Sequence, residues 1–144
     1  AAAFLNGLGA IEVMNRNHWR SPEGPLAHVL WAGAIDNLGG SMLADLLAQV
    51  RPMGNVACIG MAAGSALATT VMPFILRGVN LLGISSMNTP IGARRALWQR
   101  LAGELAPRHL ERIVTGSVEL AQLPGLFPDY IAGNVRGRTV VRVP

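Results

Sequence analysis

Apolar residues in this chain gather into short continuous runs, and the most ordered stretch of them is Asn55–Ser86. It opens with Val56-Ala57-Cys58-Ile59 and stops at Gly60. A small-residue loop from Met61 to Thr70 follows, then a helical segment, Val71–Arg77. A second apolar run, Val79–Ile84, ends in Ser85-Ser86. Strand, loop, helix and strand with continuous apolar runs is the pattern of a parallel sheet buried on both faces, an α/β arrangement. Ligands of such sheets sit beyond the carboxyl ends of the strands, here around Gly60-Met61-Ala62 and Ser85-Ser86-Met87.

The flanking segments extend the pattern. Ala1–Leu8 is helix-compatible and Gly9 is placed to end it. Ile11–Met14 reads as a short strand and Asn15–Pro25 as a polar loop. Val29–Ile35 is a further strand, closed by Asp36-Asn37-Leu38-Gly39-Gly40, where Asn37 or Ser41 is a candidate cap for the helix Met42–Val50. Met42, Leu43, Leu46, Leu47 and Val50 make one apolar stripe of that helix. After Ser86 the loop through Pro90 leads to an amphipathic helix, Ile91–Leu105, and Arg108–Val114 makes one more helical turn. Ser117–Leu120 reads as a strand, Pro124–Gly133 as a short helix and Thr139–Val143 as a terminal strand. Asn134 and Arg138 flank a glycine turn and have two readings, a reach to a phosphate or amide or, most simply, a hairpin surface.

Composition narrows the function classes. The 144 residues are 51% hydrophobic and 14% charged, against a usual charged share of about 25%. No apolar run reaches the roughly 18 residues of a membrane span, no signal-peptide pattern opens the chain, and the setting expected is cytoplasmic. The net charge is +4, every basic residue is Arg, and only Arg94-Arg95 are adjacent. Without a basic stripe or aromatic platform, nucleic acid is not an expected partner. Cys58 lies inside an apolar strand and reads as a core residue. His18, His28 and His109 have no paired carboxylate or cysteine at ligand spacing, so no metal site is expected. The dinucleotide fingerprint, P-loop, HExxH and G-x-S-x-G signatures are absent. Asp36 at a strand end has two readings, a ribose contact or, more simply, a turn and cap residue. The small residues at Gly60–Ala63 and Ser85–Met87 suit close approach to a flat ring or a pyrophosphate, and equally suit a plain short loop.

Five segments carry a resemblance: Leu8-Gly9-Ala10, Trp31–Gly40, Ala68–Ser86, Ala96–Arg100 and Gly137–Val141. On these, the chain from about Gly7 onward resembles the carboxyl-terminal part of a medium-chain dehydrogenase/reductase, in the acrylyl-CoA reductase and zinc-free quinone oxidoreductase group. The resemblance implies a partial Rossmann fold, a doubly wound parallel sheet, followed by part of a catalytic domain. Residues 1–103 would be the second half of an NADP-binding domain and 104–144 the return into the catalytic domain. It implies NADPH as hydride donor and an acyl-CoA, enone or quinone substrate whose C=C bond is reduced. Gly60, Met61 and Ala62, with Ser85 and Ser86, would line the nicotinamide side; Arg138 would contact cofactor from the terminal strand, and no catalytic residue is assigned. Relatives pair subunits through the strand corresponding to Val79–Ile84, which implies a homodimer or pairing with a complementing chain.

By the strand order 3-2-1-4-5-6, the chain would keep the edge strand Ile11–Met14 and strands four to six. The strands between them, with the phosphate-gripping turn, would be missing, leaving the edge of Val29–Ile35 unpaired and one sheet face partly bare. The fragment alone is therefore expected to be inactive and to bind NADPH weakly. The alternative function is a non-catalytic module that dimerises through exposed sheet edges.

Overall fold

In the computed structural model, which describes residues 2–144, the elements run α1 (Ala2–Gly7), β1 (Ala34–Asp36), α2 (Gly40–Gln49), β2 (Asn55–Cys58), α3 (Met72–Arg77) and β3 (Asn80–Gly83). They continue with α4 (Ile91–Ala102), α5 (Leu110–Ile113), β4 (Val114–Glu119), α6 (Phe127–Ile131) and β5 (Arg138–Arg142). Single 3-10 segments lie at Arg16–His18 and Leu120–Leu126. The chain forms two compact units, residues 16–89 and residues 2–15 with 90–144.

Residues 16–89 hold a three-stranded parallel sheet in the order β1-β2-β3. The apolar stripe expected on Met42–Val50 does what its spacing requires: Leu43, Leu47 and Val50 pack on Val56 and Val79, with Ala34, Cys58, Phe74 and Leu81 around them. The in-register row Ile35, Ala57 and Leu82 projects from the other face of the pleat. There Ile35 is 72% and Leu82 45% exposed, so one face is covered and the other open among the described residues. The continuous apolar runs thus supply one packed face and one bare apolar face: the burial on both faces expected from the run pattern is corrected, and the partly bare face that the resemblance implied is what forms.

Two local devices shape this unit. Gly78 ends α3 in the left-handed conformation at φ 59°, and its N–H donates to the Phe74 carbonyl. Arg77 then donates from Nη1 to the Ala48 carbonyl at 2.9 Å and from Nη2 to the Ala27 carbonyl at 2.6 Å, tying the segment before β1 to the end of α2. The polar loop before β1 is also anchored: Trp19 Nε1 and Ser21 Oγ both donate to Asp45 Oδ2 at 2.8 Å, and Trp19 stacks on Trp31. Because the Leu30 N–H donates to the Gln49 carbonyl and Trp31 bridges Val50, the strand expected over Val29–Ile35 is regular only at Ala34–Asp36.

The second unit carries β4 and β5 as a parallel pair joined through Leu120–Leu126 and α6. Parallel pairing corrects the hairpin expected around Asn134 and Arg138, since parallel neighbours need a crossover. Pro124 lies within the 3-10 stretch, which divides the helix expected over Pro124–Gly133. Glu119 Oε1 and Arg142 Nε close the far end of the pair at 2.7 Å. Ile11–Met14 is unpaired and Ile11 fully exposed, so no strand forms there. A strand exists only where a neighbour takes its backbone groups, and none of the described strands lies in register with it. No described helix is long and apolar enough to cross a membrane.

Candidate cofactor site

The carboxyl ends of β1, β2 and β3 lie side by side, with Asp36 opposite Cys58 and Cys58 opposite Gly83. The Ile84 N–H donates to the Cys58 carbonyl at 2.9 Å, which carries the pairing one residue past β3. The structure therefore brings Gly60-Met61-Ala62 and Ser85-Ser86 out along one edge of the sheet. Met61 and Ala62 are exposed, as are both serines. Ser85 organises its own exit: its Oγ accepts from the Asn88 side chain at 3.1 Å, and its carbonyl accepts from Thr89 Oγ1 at 2.8 Å. Arg138 belongs to the other unit, where it opens β5, stays exposed and donates to the Gly137 carbonyl.

Gly60 is where the glycine requirement is plain. A Cβ there would stand 2.6 Å from the Asn37 carbonyl oxygen, so the loop leaving β2 lies directly against the loop leaving β1. The contact is hydrogen-bonded throughout: Ile59 N–H to the Asp36 carbonyl at 2.8 Å, Ala62 N–H to that of Asn37, and Ala63 N–H to that of Leu38 at 2.8 Å. Asp36 itself is only 2% exposed. Its carboxylate accepts from the Leu38 and Gly39 N–H groups, which makes it the turn residue of its simpler reading. Neither Asn37 nor Ser41 caps α2 with its side chain.

Beside these loops opens a cleft of about 270 Å³, lined by Gly39, Gly40, Leu43, Cys58, Gly60 and Met61 among others. Its walls are chiefly small and apolar, which suits a flat ring better than a charged group. Leu43 and Cys58 were read in the sequence as core, and the Gly39-Gly40 pair as a turn; the signal that they also wall a cleft was the place of Cys58 and the glycines at parallel-strand exits, with Leu43 in the first turn of the helix that follows. Among the described residues, no group of three or more His, Cys, Asp and Glu side chains could hold a metal ion.

A parallel sheet with small-residue exits and one helical cover defines an α/β chain of partial Rossmann type. No family model matches it. The chain is 42% identical over 143 residues to the acrylyl-CoA reductase AcuI of Ruegeria pomeroyi and 40% identical over 144 residues to the quinone oxidoreductase YhfP of Bacillus subtilis. These matches cover 99% of this chain and 43% and 44% of the relatives, so the chain spans less than half the length of either. Among solved structures, the Bacillus subtilis YhfP protein with NAD bound superposes with a TM-score of 0.90 at 38% identity, over 98% of this chain and 43% of that one. The Escherichia coli YhdH protein with bound NADPH gives 0.86 at 40%, over 99% and 44%, and the Salmonella enterica YhdH oxidoreductase in complex with NADP gives 0.88 at 41%, over 99% and 43%. The chain is thus related to the acrylyl-CoA reductase and quinone oxidoreductase group of the medium-chain dehydrogenase/reductases.

Proposed function

We propose that this chain is the nicotinamide-side portion of an NADPH-dependent oxidoreductase that reduces the C=C bond of acrylyl-CoA or a related enone or quinone. The observation that carries the reading is the pair of adjacent strand exits, Gly60–Ala62 and Ser85–Ser86, beside an apolar cleft. The support from relatives is that two of them, about 40% identical, have been solved with NADPH or NADP. When bound, NADPH would supply the hydride. Gly60, Met61, Ala62, Ser85 and Ser86 would line its nicotinamide side and exclude water there, and Arg138 would pair with an anionic part of the cofactor. No residue of the chain is assigned a catalytic role.

Residues 1–103 then form the second half of the cofactor domain and residues 104–144 the return into a catalytic domain, acting in the cytoplasm. Activity belongs to the whole polypeptide, and the 144 residues alone turn nothing over. The alternative, a non-catalytic dimerisation module, is unsupported, since the relatives are named as enzymes.

The test is NADPH oxidation by the whole polypeptide that carries this sequence. Turnover dependent on acrylyl-CoA or an enone is expected, and an inert protein with every α,β-unsaturated acceptor would sink the reading. Gly60→Val in that protein should weaken NADPH binding by about tenfold or more, the equivalent of at least about 1.4 kcal/mol.

A further inference from the structure

Asp36 does two things at once. Its side chain orders the loop that leaves β1: Oδ2 accepts from the Gly39 N–H at 2.9 Å, and Oδ1 accepts from Leu38 and Gly39 N–H at 3.2 Å each. Its backbone carbonyl orders the loop that leaves β2, accepting from Ile59 N–H at 2.8 Å and Gly60 N–H at 3.3 Å. The Cys58 thiol, 3.9 Å from Oδ2, donates to the same carboxylate across the strand pair. The ordered β1 loop then presents the Asn37 and Leu38 carbonyls to the Ala62 and Ala63 N–H groups.

We propose that Asp36 is a positioning residue. Without touching cofactor, it holds the Asn37–Gly40 loop as a template that sets where Gly60-Met61-Ala62 stand before NADPH arrives. The proposal rests on the reading that the β2 exit lines the nicotinamide side. Its chemistry demands a carboxylate: both oxygens accept, and every neighbouring group donates. An amide at the same place keeps one acceptor oxygen and turns an NH2 toward a donor. The template must also be rigid, because Gly60 leaves no slack beneath the Asn37 carbonyl.

The experiment is a fluorescence titration of NADPH into the whole polypeptide, as wild type, Asp36→Asn and Leu47→Ala, at a temperature where all three are folded by circular dichroism. Leu47 is fully buried between α2 and the sheet, away from the cleft lining, and serves as a control for destabilisation alone. Asp36→Asn should raise the dissociation constant about tenfold, while Leu47→Ala melts earlier but keeps the wild-type value. Equal affinity in Asp36→Asn and wild type overturns the positioning role and leaves the cofactor reading standing. A wild-type protein that does not bind NADPH overturns both. Should Asp36→Asn not fold, amide hydrogen exchange on the wild type decides. Protection of Gly39, Ala62 and Ala63 without NADPH is expected, and protection that arises only on adding NADPH would overturn the proposal.

Discussion

Leu47 and Gly33 show how little freedom single positions have in the covered half of the sheet. Leu47 has no accessible surface and touches both strand and helix neighbours, so Leu47→Ala should cost about 2–5 kcal/mol, read from the urea midpoint of unfolding. At Gly33 an added Cβ would lie 2.9 Å from the Asn55 carbonyl oxygen, backbone that cannot step aside. Gly33→Ala should therefore destabilise by about 1–3 kcal/mol. Gly83→Ala, with nothing within 4 Å of the new Cβ, should be neutral or slightly stabilising. The two alanine variants side by side in one melting series check the pair; equal shifts would refute the steric account. In the sequence, both glycines simply fall inside apolar runs that read as strands, Val29–Ile35 and Val79–Ile84. Their difference lies in what faces them, which pattern alone does not specify.

Elements here are held by a few long-range hydrogen bonds as much as by their own propensity. The Ala27 N–H donates to the Ala48 carbonyl, and Arg77 clamps both carbonyls from the end of α3. Arg77→Met keeps much of the apolar stem and removes the clamp, and should cost about 1.5–3 kcal/mol, with faster hydrogen exchange at Ala27 as its local signature. Arg142 makes a useful contrast. Its pair with Glu119 joins side chains 63% and 57% exposed, so Arg142→Ala should change stability by under about 0.5 kcal/mol. A shift above 1 kcal/mol at Arg142, in the same denaturation assay, would mean the pair is worth more than its exposure allows. The sequence marked Arg77 only as a residue in the last turn of a helix. Its partners lie 29 and 50 residues away, and no local pattern encodes such a reach.

For the whole molecule, the open face and the outer strand edge matter most. Asn80 and Ile84 direct their N–H groups to Gly54 and Cys58, so alternation turns the N–H groups of Leu81 and Gly83 outward from β3. Beside that edge the bare face carries Ile35 and Leu82. Such an edge pairs readily with another strand. We propose that two copies join there through Val79–Ile84. Light scattering on the whole polypeptide should give a dimer, and Gly83→Pro should shift it toward monomer while leaving the β2–β3 bonds in place. A dimer indifferent to Gly83→Pro would place the interface elsewhere.

What the sequence determined by itself was the parallel β-α-β core, the helix over Met42–Val50, the strand exits at Gly60 and Ser85, and the kinship with the reductases. These follow from apolar periodicity, breaker residues and motif identity, all written in neighbouring positions. Tertiary structure decided the rest. It left Ile11–Met14 without a partner, made β4 and β5 parallel, and committed Asp36 to its own loop. The physical reason is the same each time: a strand or a paired carboxylate is a relation between distant segments. The chain can state its half of that relation, and only folding supplies the other.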